Sequence, residues 1–162
     1  MVLDNHHANM EELVVQVKGF GVIYFTGGSP DHLLASLRGS QLWDSIMEER
    51  NNGAIIAGSS AGAMVLGGKM RRPRSGGWVD ALSAVPGIAT LPHHENSDPE
   101  QTFLQLETQV NSGITILGID ARTGCLGQLG SWRVVGSGKV TKYDSSGWNV
   151  YVSGQHFSVS EK

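Results

Sequence analysis

The segment GAIIAGSSAGAMVLGG, residues 53–68, carries an apolar run straight into a turn made of small residues. AIIA (54–57) is short, apolar and β-rich, the pattern of a strand buried in a parallel sheet, and the small apolar residues after Ser60 begin a helix. Working outward, GVIYFT (21–26) is a second continuous apolar run, closed by Gly27 and Gly28. Residues 29–53 place Leu33, Leu34 and Leu37, then Leu42, Ile46 and Met47, at helical spacing, interrupted at Gly39 and stopped at Asn51 to Gly53. Upstream, residues 9–18 set Met10, Leu13, Val14 and Val17 on one helical face. Downstream, GIATL (87–91) and ITILGI (114–119) are further strands, separated by a helix from Pro99 to Asn111 that Asp98 caps. KMRRPRSGG (69–77) is basic and broken by proline and glycine, so it is expected as a loop. The alternation predicts an α/β fold: an open, mostly parallel sheet with flanking helices. From Cys125 to Ser158 short alternating stretches with glycine turns predict a small antiparallel β meander at the sheet edge.

With 162 residues, 40% of them hydrophobic, the chain is long enough for one domain with a sizeable core, and no linker or repeat divides it, so 1–162 is expected as a single α/β domain. Twelve basic against 15 acidic residues give a formal charge of -3, with no electrostatic footprint for nucleic acid or an anionic membrane. Apolar runs fall far short of the roughly 20 residues that cross a bilayer. Residues 1–8 lack the apolar stretch of a signal peptide. A lone Cys125 excludes an intrachain disulfide and a cysteine-rich zinc site. A cytoplasmic protein is the expectation.

Gly58-Ser59-Ser60-Ala61-Gly62 satisfies G-x-S-x-G and sits between a predicted strand and a predicted helix, where that motif works. Small neighbours permit the sharp turn that exposes a nucleophile, so Ser60 is the candidate; the alternative is a tight turn whose serine only caps the helix. A serine needs a base within hydrogen-bond reach. His93 follows the strand GIATL and so emerges at the same sheet edge as Ser60, where open parallel sheets place their sites. His94 points elsewhere on an extended backbone. His6, His7, His32 and His156 have no such placement. A metal at His93, His94 and Glu95 is disfavoured, because sequence neighbours rarely converge on one centre. A backbone N–H at Gly27–Gly28 is placed to join that of Ala61 around an oxyanion, or the glycines form an ordinary turn. GGSPD has neither dinucleotide nor Walker spacing.

These residues resemble the peptidase E and cyanophycinase family of serine peptidases, which have a class I glutamine-amidotransferase-like α/β fold. IYFTGG (23–28), the helix through Gly39, GAIIAGSSAGAM (53–64), VPGIATLPHH (85–94) and ILGID (116–120) carry the resemblance, in family order and approximate spacing. It implies Ser60 as nucleophile, His93 as general base, and the N–H groups of Gly28 and Ala61 as the oxyanion hole. The family's acid lies between serine and histidine, where this chain offers only Asp80; Glu95 is the other nearby carboxylate. Members usually begin with a further strand, helix and strand, so this chain is expected to lack them and to expose sheet edges and apolar surface. Ser29, Pro30 and Asp31 stand where members often carry an acid and glutamine.

Characterised relatives cleave after aspartyl groups, which implies a small acidic peptide as substrate. Arg71, Arg72 and Arg74 are candidates to hold its carboxylate, Arg71 and Arg74 foremost. Of the four tryptophans only Trp78, in the same loop, is placed to wall a site. The expectation is therefore a serine-type peptidase with a Ser60–His93(–Asp80) mechanism, needing no cofactor and no metal, with no nucleic-acid or membrane partner and with a homo-oligomer left open. A non-catalytic relative binding a peptide or partner is the alternative, and a small esterase is a further one.

Overall fold

Serine, aspartate and proline place the helix starts. Ser29 Oγ accepts from the His32 N–H at the head of α2 (Pro30–Leu37), Ser40 Oγ from Trp43 N–H at the head of α3 (Gln41–Asn51), and Asp98 from Gln101 N–H at the head of α5 (Pro99–Asn111). Pro30 and Pro99 occupy the first turns, where a missing N–H costs nothing. The computed structural model describes residues 4–128 and 130–159. The helix expected over 9–18 is only one turn, α1 (Glu11–Val14), flanked by 3-10 turns at His7–Asn9 and Val15–Val17. Three valines within four residues oppose a longer helix. No helix among the described residues is long and apolar enough to cross a membrane.

The strands flanking the elbow pair in parallel as expected: β1 (Val22–Phe25) with β2 (Ile55–Gly58), from Val22 opposite Ile55 to Phe25 opposite Gly58. A second parallel pair joins β5 (Ile88–Pro92) to β6 (Thr115–Ile119). The chain is thus α/β with helices and several sheets. These two pairs lie in separate ladders, whereas the sequence predicts one open sheet. The chain after helix α4 (Ala61–Leu66) runs along β5: Gly68 N–H donates to Ile88 O at 2.8 Å, and Gly67 bridges Val85 in parallel. That segment takes the hydrogen-bonding edge of β5 that β2 would otherwise reach.

A continuous apolar run implies burial on both faces, and β5 and β6 fulfil it. Ile88 and Leu117 face a core with Val134, Val140 and Phe157, while Ala89 and Ile116 face Leu106 and Val110 of α5 and Tyr143. In β1 and β2 one face is open: Val22 is 57%, Tyr24 58% and Ile55 62% exposed. Phe25, on the covered face, packs edge-on against Trp43 and joins the largest core, built from α2, α3 and α4.

Two further expectations change. The basic loop is clasped by a hairpin, β3 (Lys69–Arg71) antiparallel to β4 (Trp78–Asp80). The C-terminal strands divide rather than forming one edge meander. A hairpin of β9 (Lys139–Asp144) and β10 (Gly147–Val152) extends the β5–β6 sheet, because β9 pairs antiparallel with β6. β7 (Thr123–Gln128), β8 (Ser131–Gly136) and β11 (His156–Ser158) form their own three-stranded sheet. Alternation along these strands predicts strand identity, and the partners are set by burial of Val134, Val140 and Phe157 in one core.

Helix α4 lies against the backbone of β1. A Cβ on Gly62 would sit 2.2 Å from the carbonyl oxygen of Phe25, and one on Gly58 2.6 Å from the carbonyl carbon of Gly62. Gly62→Ala should therefore destabilise the protein by about 1–3 kcal/mol. Gly21→Ala, with nothing within 4 Å, should stay within about 0.5 kcal/mol. Urea unfolding midpoints of the two variants check this, and equal midpoints would refute the close-approach account.

Candidate active site

A helix that starts immediately beside β1 leaves two residues, Ser59 and Ser60, between β2 and α4, and Ser60 makes the turn. Its backbone is at φ 50 and ψ −115, a strained conformation for a residue with a Cβ. Its side chain makes no capping hydrogen bond to α4, so the capping alternative does not describe it. His93, immediately after β5, also has a positive φ of 59. The two turns bring Ser60 Oγ and His93 Nε2 to 3.2 Å, the separation of a hydroxyl and the base that deprotonates it.

The glycine loop after β1 lies alongside. The Cβ position of Gly27 is 3.4 Å from Ser60 Cβ, and Gly28 has φ 138, which favours glycine. The N–H groups of Gly28 and Ala61 donate to no acceptor among the described residues and are available to an incoming oxyanion. Gly28, Ser60, Ala61 and His93 line one cleft of roughly 500 Å³, whose apolar wall includes Pro30, Met64 and Leu91.

Of the arginines in the basic loop, Arg71 and Arg72 line this cleft and Arg74 does not. Arg72 Nε lies 3.1 Å from Asp31 Oδ1, so an acid from α2 offsets its charge. Arg71 has no carboxylate partner among the described residues. Trp78 does not line the cleft but packs against the core beneath α5.

Asp80 is placed elsewhere. Its carboxylate binds Lys69 Nζ at 2.7 Å across the β3–β4 hairpin with a side chain 80% exposed, and the Lys69 ammonium holds it below the usual carboxylate range. Its carbonyl accepts from the Arg38 guanidinium. Glu95 accepts from the Ala121 N–H at 3.0 Å; its own backbone N–H and that of Ala121 lower its pKa. No carboxylate hydrogen-bonds His93 among the described residues. Burial pushes the Cys125 thiol up to about 12, so it is no competing nucleophile.

His93, His94 and Glu95 point in three directions: to Ser60, to Tyr143 and to the Ala121 N–H. They form no common metal centre. The contact of His94 Nε2 with Tyr143 Oη, 2.7 Å and buried, was not foreseeable from sequence, because its partner lies 49 residues on. The Arg72–Asp31 pair was equally hidden, although both residues stood out singly.

Three comparisons bear on this arrangement. A sequence model of the family described as peptidase family S51 matches residues 1–127. Among solved structures, a peptidase from an acI-B1 Actinobacterium superposes with a TM-score of 0.83 at 27% identity, over 97% of this chain and 67% of that one. A protein described as a putative peptidase E from Listeria monocytogenes EGD-e gives a TM-score of 0.54 at 20% identity, over 89% of this chain and 65% of that one, and shows likeness of fold alone. No curated protein matches the chain.

Burial lowers the His94 pKa; Lys139 acts in the same sense, and Asp120 and Glu95 act against it. As pH falls through about 6.5, the unfolded chain takes up a proton on this residue that the folded chain refuses. The unfolded state then binds more protons, so stability falls. Melting temperature should drop between about pH 7 and pH 5, and the slope should be shallower in His94→Gln. An unchanged slope in that variant would show that His94 is not the titrating group.

Proposed function

The chain belongs to peptidase family S51, and from that premise we propose that it is a serine-type peptidase whose Ser60 attacks the amide carbonyl of a small peptide bearing an aspartyl group. The observation that carries the reading is the 3.2 Å approach of Ser60 Oγ to His93 Nε2, made by two strained turns at one edge of the fold.

The chemistry follows from that contact. As Oγ bonds to the carbonyl carbon, its proton passes to Nε2 of His93. Oxyanion charge develops where the N–H groups of Gly28 and Ala61 can donate to it. Collapse breaks the C–N bond, and the imidazolium returns the proton to the leaving amine. Water then attacks the acyl-serine with the same imidazole as base, releasing the acid and restoring Ser60. With Asp80 bound to Lys69 and Glu95 to a backbone N–H, the reaction runs on a Ser–His pair.

Arg71 supports an acidic substrate. Among the described residues it lines the cleft without a carboxylate partner while Arg72 is offset by Asp31, so one guanidinium is left to hold a carboxylate bidentately. Among the described residues no acidic side chain lines the cleft.

A fluorophosphonate should add once to the wild type, not at all to Ser60→Ala, and slowly to His93→Ala, as read by intact mass. Arg71→Gln should raise KM for an aspartyl dipeptide about 10- to 100-fold, the loss of a charge-assisted contact, with kcat changed little. An unlabelled, folded wild type would instead favour a non-catalytic, peptide-binding relative. Ester turnover without peptide cleavage would favour a small esterase.

A further inference from the structure

His93 must hold a left-handed backbone conformation at φ 59, which a residue with a Cβ does not keep unaided. Before it, the chain is fixed by strand pairing, with Pro92 opposite Ile119 in the β5–β6 ladder. After it, the His94 backbone is still tied to β6, and the side chain is fixed as well: the His94 ring is buried, stands edge-on to Tyr143 with centroids 5.6 Å apart, and pairs Nε2 with Tyr143 Oη at 2.7 Å. Its own N–H donates to Ile119 O at 3.2 Å, and its carbonyl accepts from Ser97 N–H. The ring occupies the space that any side chain on Gly118 would take, since a Cβ there would lie 2.4 Å from His94 Cδ2.

We propose that His94 is a positioning residue for the reacting pair: wedged between Gly118 and Tyr143, it pins the peptide after His93 and so keeps the turn that aims His93 Nε2 at Ser60. With both flanks fixed, the left-handed turn at His93 joins the two fixed points. An apolar ring at position 94 would fill the same volume without the directional contact to Tyr143. The polar pair therefore serves orientation rather than burial, for which an apolar pair would suffice. Tyr143 is fully buried on β9, two strands away from β5. The cleft geometry thus draws on the C-terminal hairpin, which contributes no residue to the cleft itself.

This inference rests on Ser60 and His93 being the reacting pair. The test measures the second-order rate of fluorophosphonate addition to Ser60 in wild type, Tyr143→Phe, His94→Phe and His94→Gln, each with its folded fraction determined by thermal melting. Tyr143→Phe removes one oxygen from a site remote from the cleft and is the variant least able to disturb folding. A roughly 10- to 100-fold slowing in fully folded Tyr143→Phe and His94→Phe, of the size that small misplacements of a base produce, with most of the rate recovered in His94→Gln, is expected. Rates within about twofold of wild type in the folded variants, or losses that only track the unfolded fraction, would overturn the positioning role. If the wild type itself is not labelled, the peptidase reading fails. The positioning role is then decided by the imidazole NMR signals of His93, which must shift in Tyr143→Phe if His94 holds that ring and stay in place if it does not.

Discussion

The packing of helix α4 on the carbonyl of Phe25 is the constraint from which the cleft follows. Gly62 allows it, because any Cβ at that position would collide with the Phe25 backbone. The same carbonyl accepts from Ser59 N–H at 3.0 Å, and Ser59 O in turn accepts from Gly62 N–H at 2.9 Å. β1 is thereby tied to both sides of the turn, and the chain must pass from β2 into α4 within Ser59 and Ser60. The strained φ of Ser60 is the geometric consequence, and exposure of its hydroxyl at the sheet edge is the chemical one. Glycine at 27 then lets the neighbouring loop approach Ser60 Cβ to ordinary contact distance. Gly62, Ser59 and Gly27, none with a large side chain, thus fix where the Ser60 hydroxyl stands.

That part of the fold was legible because it is local. The apolar run of β2, the small residues of the elbow, the serine and aspartate caps and the prolines of α2 and α5 all act within a few residues of themselves. His93 was legible for a related reason: strands that pair in parallel and end in loops put their C-terminal ends on one side. What sequence could not supply is which edge of β5 is filled. Either β2 or the segment at Gly67 and Gly68 satisfies the hydrogen bonds, and the tight fit of Gly67 against Ile88 O decides for the latter. Two-faced burial is found in β6, which has α5 on one side and the C-terminal strands on the other. It does not hold for β1, whose sequence is equally apolar, because nothing among the described residues covers Val22 and Tyr24.

Asp80 illustrates the limit of arguing from order along the chain. It is the one acid between Ser60 and His93, but the β3–β4 hairpin places Asp80 opposite Lys69, and its carboxylate is taken by an ammonium at 2.7 Å. The hairpin was invisible because its strands are three residues long and one of them is basic. Strand partners, unlike strand propensity, are set by what lies across the ladder.

The same hairpin sorts the arginines. In sequence, Arg71, Arg72 and Arg74 are one charge run with Arg71 and Arg74 as the foremost candidates; in space, the loop is folded on itself by Arg72 N–H to Gly77 O and Gly76 N–H to Arg72 O. The fold gives the three side chains different surroundings: Arg71 faces the cleft, Arg72 reaches Asp31, and Arg74 stays outside. Asp31 stands in the first turn of α2, directly after the glycine loop that borders Ser60. Its pairing with Arg72 therefore ties the loop after α4 to the glycine loop that carries Gly28. One exposed ion pair contributes little to stability, and its weight here is electrostatic. It cancels one of two cations at the cleft and leaves Arg71 as the positive group in the cleft that also holds the Ser60–His93 pair.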